Sequence, residues 1–141
     1  MTANSFTELK NTSATASDLA LLNGKNVRIR GRASGATSVI ATEIEDRGAS
    51  DQDADVILQG AVLKAEVINP TFKILGVTVD TNLLTPADFR DVNDIAIVGG
   101  QTTFFNTLSA NGGLVKAKGR LPADVDNVLA AGTLREVELE D

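Results

Sequence analysis

The chain of 141 residues is 43% hydrophobic and 23% charged, which is typical of a globular protein rather than a disordered one. No run approaches the roughly 18 apolar residues of a membrane span, and the first residues have neither the basic nor the apolar region of a targeting peptide. The formal net charge of −6 disfavours nucleic acid, because phosphates are bound by clustered Lys and Arg.

Four residue types that often carry chemistry are absent, namely cysteine, histidine, tryptophan and tyrosine. Their absence removes disulfides and thiolate ligands, the usual general base near neutral pH and the best stacking platforms. No phosphate-binding or nucleophile-elbow motif occurs either. The composition therefore predicts a protein that is not an enzyme and that holds no cofactor.

The first strong pattern is "NVRIRGR" at 26–32, after a polar start with one predicted helical turn at 18–22. Apolar and basic residues alternate there with the period of a half-buried strand. A second strand, "VIATEIED", is predicted to place Ile40 and Ile44 on one face and Ala41, Glu43 and Glu45 on the other. The two strands predict a hairpin over residues 26–46.

Two strand candidates follow, "DVILQGAVLKAEV" and "TFKILGVTVDT", separated by a turn at 68–70. Gly60 and Gly76 are predicted as bulges within them. Because apolar residues occupy both parities of these segments, both strands are predicted to be central in a sheet.

Next, "TPADFRD" predicts a short helix, with Thr85 as its N-cap and Pro86 at its first position. "DIAIVGG" is then predicted as a short buried strand that ends at a glycine pair. The phenylalanines are predicted as core residues rather than stacking platforms; four of them lie in apolar contexts, Phe72, Phe89, Phe104 and Phe105.

The hairpin pattern returns near the end of the chain, as "LVKAKGR" at 114–120 and "TLREVELE" at 133–140. The first strands are offset by 88 positions (115 − 27) and the second by 95 (139 − 44), so the insertion lies in the connection between them. Repeated strands with a variable loop indicate a duplicated supersecondary unit.

The order "GKNVRIRGRASG", "VIATEIED", "VILQGAV" and "FKILGVTVDTN" resembles the bacterial family called domain of unknown function 5666. The resemblance covers most of residues 19–82 and resumes at about 112–140, and "IAIVGGQTTFFNTL" departs from it by being more apolar than the expected polar spacer. The resemblance implies small OB-like β-barrels of exported or surface proteins, located in the periplasm, at the cell surface or outside the cell. It supplies no catalytic residues.

The predicted fold class is all-β: a small OB-like barrel of Greek-key type, enlarged by the duplicated hairpin and carrying one short helix. Residues 1–54 are predicted as an N-terminal half-module and residues 55–141 as a complete OB-like module. We expect them to pack as one compact unit, with two small barrels in contact as the alternative. The extra hairpin is predicted to extend or close the same sheet and so to remove an exposed edge.

Two basic stripes are the candidate ligand-binding residues; the first basic stripe is Arg28, Arg30 and Arg32, and the second basic stripe is Lys116, Lys118 and Arg120. Each stripe could hold a polyanion. The favoured alternative is that each pairs with the acidic strand of its own hairpin, since opposite charges across a strand pair contribute roughly 0.2–1 kcal/mol.

"DQDAD" places three carboxylates at alternate positions of a predicted loop, Asp51, Asp53 and Asp55. This spacing begins an oxygen-rich calcium site, but Val56 replaces the required sixth-position glycine and Val62 the twelfth-position glutamate, which excludes an EF-hand. An irregular calcium site is one interpretation, and a solvated acidic turn is the favoured one.

The predicted function is that of a non-catalytic structural or protein-interaction module of a bacterial envelope or secreted protein. The first alternative is a weak binder of calcium or an anionic oligosaccharide, through the acidic loop or a basic stripe. Single-stranded nucleic acid binding, by analogy with OB-folds, ranks last because of the net acidity.

Overall fold

The computed structural model of the chain describes residues 2–35, 38–49, 55–120, 128–129 and 132–141. The chain is mostly β-sheet, with 49% of residues in strands and one α-helix among the described residues, which confirms the predicted all-β class. No closed barrel is found among the described residues. The chain divides into two compact units, Met1–Ala54 and Asp55–Asp141.

The N-terminal unit contains a three-stranded sheet of order β1-β3-β2, formed by β1 (Glu8–Lys10), β2 (Lys25–Ala33) and β3 (Val39–Ala49). β2 and β3 are antiparallel, as the predicted hairpin requires, and Ile29 lies opposite Ile44. β1 runs parallel to β3 on its other side, with Leu9 also opposite Ile44. A 3₁₀ turn at Ala20–Leu22 confirms the predicted helical turn before β2.

A β-bulge in β3 corrects the predicted facing of Ala41. Arg30 lies opposite Glu43 while Gly31 lies opposite Ala41, so Thr42 is an extra residue. An extra residue shifts the alternation of side chains by one. Ala41 therefore shares the face of Ile44, and both are buried.

The C-terminal unit contains two sheets, of order β4-β8-β10-β7 and β5-β6-β9. Its elements are β4 (Asp55–Val62), β5 (Thr71–Ile74), β6 (Val77–Asp80), β7 (Phe89–Arg90), α1 (Gly100–Asn111), β8 (Gly113–Arg120), β9 (Val128–Leu129) and β10 (Leu134–Glu140). The second hairpin, β8 with β10, is antiparallel as predicted. It belongs to a different sheet from β2 and β3, so the expectation that the two hairpins share one sheet is wrong.

The hydrophobic core of the C-terminal unit lies between the helix and the strands. Its buried residues are Val62, Phe72, Ile74, Val79, Phe89, Phe104, Phe105, Leu108, Val115, Ala117, Leu134 and Val137. Phe104 is in ring contact with Phe72, Phe89 and Phe105, at centroid distances of 5.9, 5.4 and 5.7 Å. The prediction that these four phenylalanines are core residues is confirmed.

The two apolar strand candidates differ from their prediction in two ways. β4 pairs with β8 in an unbroken register through Gly60, so no bulge occurs there. Instead, a Cβ at Gly60 would lie 2.8 Å from Cγ2 of Ile74, which explains the glycine by close packing. β4 and β5 also end their sheets in the described part of the chain, whereas β6, which lies within the second candidate, is central between β5 and β9.

The second candidate is a hairpin rather than one strand. β5 and β6 are antiparallel and are joined by Leu75 and Gly76, both with positive φ, 53° and 82°. Positive φ at both central positions is the geometry of a tight two-residue hairpin turn. Gly76 therefore forms a turn and not the predicted bulge.

The predicted short helix is a 3₁₀ turn at Pro86–Asp88 with the expected cap. The Asp88 carboxylate accepts the backbone N–H of Thr85 at 2.7 Å and its hydroxyl at 2.8 Å. The predicted strand in "DIAIVGG" is wrong, because Ile95 and Val98 are exposed and Ala96 forms only an isolated bridge with Arg90.

The glycine pair that was predicted to end a strand begins the α-helix instead. Gly99 and Gly100 have φ of 89° and 51°, values that L side chains rarely adopt. They turn the chain into α1, which presents Phe104, Phe105 and Leu108 to the core. The core helix therefore accounts for the apolar residues of the second half of Ile95–Leu108, whereas Ile95 and Val98 in its first half are exposed.

Candidate interaction surface

The two lysines of the second basic stripe are neutralised by the acidic strand of their own hairpin. Lys116 lies opposite Glu138 and Lys118 opposite Glu136. The Nζ atom of Lys116 lies 2.5 Å from Glu138 and 2.7 Å from Glu140. That of Lys118 lies 2.6 Å from Glu136 and 3.5 Å from Glu138. The predicted cross-strand pairing is therefore confirmed for both lysines.

The hydrogen bonds that the two lysines donate to these carboxylates stabilise the charged ammonium groups. The bond to Glu138, followed by that to Glu140, holds the pKa of Lys116 well above its usual range. The bond to Glu136 likewise raises the pKa of Lys118. Both lysines remain charged throughout the physiological pH range.

A third strand adds a cation on the other side of the acidic strand. β7 runs parallel to β10 and places Arg90 opposite Glu138. Nε of Arg90 lies 2.9 Å from Glu136, and its NH1 lies 3.3 Å from Asp94. Sequence reasoning missed Arg90, because a two-residue strand gives no periodic signal.

Asp94, Glu136 and Glu138 bring carboxylate oxygens within 4.8 Å of one another, which is the spacing of metal ligands. All three carboxylates already contact protein cations: Asp94 and Glu136 contact Arg90, Glu136 also contacts Lys118, and Glu138 contacts Lys116. Protein cations therefore supply the positive charge that this acidic cluster needs.

The first basic stripe is arranged around Glu43 and Glu45 of β3. Arg28 lies 2.7 Å from Glu45 and 3.5 Å from Glu43. Lys10 of β1 donates a hydrogen bond to Glu43 at 2.8 Å, and Arg30 approaches the same carboxylate to 3.7 Å. The bond from Lys10 and the charges of the three cations lower the pKa of Glu43, and the same bond raises the pKa of Lys10.

The β1-β3-β2 sheet and the β7-β10-β8 part of the C-terminal sheet have equivalent registers. Ile44 of β3 lies between the antiparallel strand β2 and the parallel strand β1. Val137 of β10 lies in the same way between the antiparallel strand β8 and the parallel strand β7. The acidic strands are thus offset by 93 positions (137 − 44), not the 95 predicted from the sequence. The third strands are offset by 80, since Lys10 lies opposite Glu45 and Arg90 opposite Glu138.

The bulge is duplicated as well. The extra residue is Thr42 in β3 and Arg135 in β10, and in both cases the register resumes opposite a glycine, Gly31 or Gly119. A Cβ at Gly31 would lie 2.7 Å from Cγ1 of Val39, so the first copy needs a residue without a side chain. The duplication therefore includes three strands and a bulge, and extends beyond the predicted hairpin.

The two copies differ at the outer edge of the basic strand. β8 is paired there with β4, whereas β2 ends its sheet and no described strand is hydrogen-bonded to that edge. Ala117 of β8 is fully buried, but the equivalent Ile29 of β2 is 42% exposed. The β2 edge, meaning the outer edge of Lys25–Ala33, is therefore the uncovered counterpart of a covered surface.

The remaining predicted residues divide into those that the structure describes and those that it does not. Arg32 lies opposite Ile40, beyond the bulge, and is exposed; no described residue forms an ion pair with it. Arg120 and Asp55 are paired backbone positions, and their side chains are not described. Asp51 and Asp53 lie outside the described residues, so the calcium loop stays a prediction.

Comparison with protein-family models, with curated proteins and with solved structures found no match for the chain. The described residues include no helix with the length and apolar character needed to cross a bilayer.

Proposed function

We propose that the chain is a non-catalytic protein-interaction or structural module of a bacterial envelope or secreted protein. The sequence resemblance supports this setting, and also an OB-like barrel architecture for residues 55–141. The observation that carries the proposal is the β2 edge: no described strand pairs with it, and β2 has a basic and an apolar face.

The chemistry of this edge suits a polypeptide partner. An edge strand presents unpaired backbone N–H and C=O groups, which another extended chain can pair. Beside them lie the guanidinium of Arg30, whose side chain is 61% exposed, and the side chain of Ile29. Backbone, charged and apolar groups at strand spacing match a peptide better than they match a sugar or an ion.

A second candidate function is the binding of an anionic oligosaccharide by the first basic stripe. The exposure of Arg30 and Arg32 favours it, since both guanidinium groups can reach an anion from solution. Calcium binding rests on Asp51, Asp53 and Asp55 and has no further support. Single-stranded nucleic acid ranks last, because the net charge of −6 opposes it.

A competition experiment separates these functions. Amide NMR spectra of the labelled full chain are recorded with calcium chloride, an anionic oligosaccharide, a short single-stranded oligonucleotide and an acidic peptide of the same charge as the oligosaccharide. The proposal predicts that the peptide binds most tightly and that shifts occur at β2. Tighter binding of the oligosaccharide, lost in the Arg30→Ala, Arg32→Ala variant, would replace the proposal with the second candidate.

A further inference from the structure

We propose that the β2 edge is a strand-acceptor site. Its occupant is an extended segment of another protein, in which acidic side chains alternate with apolar ones, bound antiparallel to β2 as β4 is bound to β8. This inference rests on the proposed function and deepens it by naming the partner's chemistry.

The internal duplication supplies the geometry of the bound strand. In the C-terminal unit, β4 lies antiparallel to β8, with Gln59 opposite Lys116, Leu58 opposite Ala117 and Ile57 opposite Lys118. The offset of 88 positions converts these β8 residues to Arg28, Ile29 and Arg30 of β2. The occupant therefore places one residue on the apolar face opposite Ile29, between two residues on the charged face.

The apolar positions follow from burial. Ala117 is fully buried and Leu58 of the covering strand packs against the core, whereas Ile29 is left 42% exposed. Residues directly opposite each other on adjacent strands have side chains close enough to touch. An apolar side chain of the occupant opposite Ile29 would therefore remove apolar surface of both partners from water.

The acidic positions follow from charge. Lys116 and Lys118 each contact two carboxylates, so their charges are neutralised within the sheet. Arg30, by contrast, contacts only Glu43 among the described carboxylates, at 3.7 Å. Glu43 also forms ion pairs with Lys10 and Arg28. Arg32 contacts no described carboxylate at all. Acidic residues opposite Arg30 and Arg32 would complete the pairing that β2 lacks.

The same charges argue against a second copy of this chain as the occupant. Two β2 edges paired with each other would bring two arginine stripes together, and like charges directly opposite are destabilising. The β4 strand of a second copy would offer Gln59 and Ile57 opposite Arg28 and Arg30, and neither can neutralise an arginine. Its one acidic residue, Asp55, would lie opposite Arg32 and leave Arg30 without an acidic partner. A partner strand in which acidic and apolar residues alternate would pair its acidic side chains with the arginines on one face of β2 and its apolar side chains with Ile29 on the other.

The test uses the labelled full chain and two short synthetic peptides, one of alternating Glu and Val and a matched one of alternating Lys and Val. The acidic peptide is expected to shift the β2 amides and to slow their hydrogen exchange, with β8 unchanged, and the basic peptide is expected to do neither. Arg32→Glu is expected to lower the affinity for the acidic peptide by about tenfold. Arg47→Glu, which makes the same charge change in β3, is the control and should retain tight binding.

Three results would overturn the inference. Shifts at arginine side chains without slowed exchange of β2 amides would exclude strand addition and leave the proposed protein interaction standing. No response to the acidic peptide, together with tight oligosaccharide binding, would remove both the inference and the proposed function. Protection of β2 that grows with protein concentration in the absence of peptide would make a second copy the occupant.

Discussion

Glu43 is the residue on which the charges of the N-terminal sheet converge. Its side chain is only 11% exposed, and Lys10, Arg28 and Arg30 all lie within 3.7 Å of its carboxylate. A carboxylate held by a hydrogen bond and three cations is favoured in its charged form, which is why its pKa falls below the ordinary value.

The pKa of Glu43 predicts how stability depends on pH. Because its folded pKa is depressed, its contribution is fully present above the ordinary glutamate pKa of about 4.3 and is lost as the pH falls through the folded value. Glu43→Gln should therefore lower the free energy of unfolding at pH 7, with a smaller difference from the native chain at pH 3. Urea unfolding followed by circular dichroism measures both.

Glu8→Gln is the matched control, because Glu8 is a well-exposed partner of the same lysine at 3.4 Å. It should change stability little at either pH. An equal loss in Glu43→Gln at pH 7 and pH 3 would show that the charge of Glu43 is not what stabilises the sheet.

Gly60 tests whether close packing, and not a bulge, explains a glycine in β4. In Gly60→Ala the new Cβ would lie 2.8 Å from Cγ2 of Ile74, so the core must shift to admit it. We expect a loss of about 1–3 kcal/mol in the free energy of unfolding, the usual cost of overpacking. Gly132→Ala, with no described atom within 4 Å, should be nearly neutral, and equal effects of the two would contradict the packing explanation.

At the scale of elements, the sequence predicts what is local and periodic. The two hairpins follow from alternation at β2, β3, β8 and β10, and the cap of the 3₁₀ turn follows from Thr85 and Asp88 at capping-box spacing. The cross-strand charge pairs were predictable for the same reason, since the basic residues of one strand and the acidic residues of the other lie on the same face of the hairpin.

The missed elements lack such local signals. β1 and β7 contain three and two residues and pair with strands far along the chain. The β5–β6 turn places Leu75 at positive φ, a conformation that turn preferences do not associate with leucine. α1 buries Phe104, Phe105 and Leu108 in an otherwise polar helix, so its apolar face is narrow. The third cation of each sheet, Lys10 or Arg90, was missed because it comes from one of the short strands β1 and β7.

The central helix residue provides the test at this scale. Phe104 is fully buried against Phe72 and Phe89, so Phe104→Ala should lower the free energy of unfolding by about 3–5 kcal/mol. Phe6→Ala removes a side chain that is 90% exposed and should cost less than about 0.5 kcal/mol. Chemical denaturation measures the free energy of unfolding of both variants. A small loss in Phe104→Ala would show that α1 does not anchor the core.

At the scale of the whole molecule, one three-stranded arrangement occurs in two settings. In the C-terminal unit it is joined by β4, and its apolar face belongs to a large core. In the N-terminal unit the described buried apolar residues are only Ala14, Ala41 and Ile44, and no described strand pairs with the outer edge of the basic strand. The duplication thus leaves a surface shaped for a strand, with charges that select its partner.

The most direct test of this account is amide hydrogen exchange of the free, dilute full chain, comparing β2 with β8. We expect slow exchange along the whole of β8, because both of its edges are paired. In β2 only the alternate amides that face β3 should exchange slowly, and those on the outer edge should exchange quickly. Slow exchange at every β2 amide would show that the edge is already covered, and would contradict the strand-acceptor site.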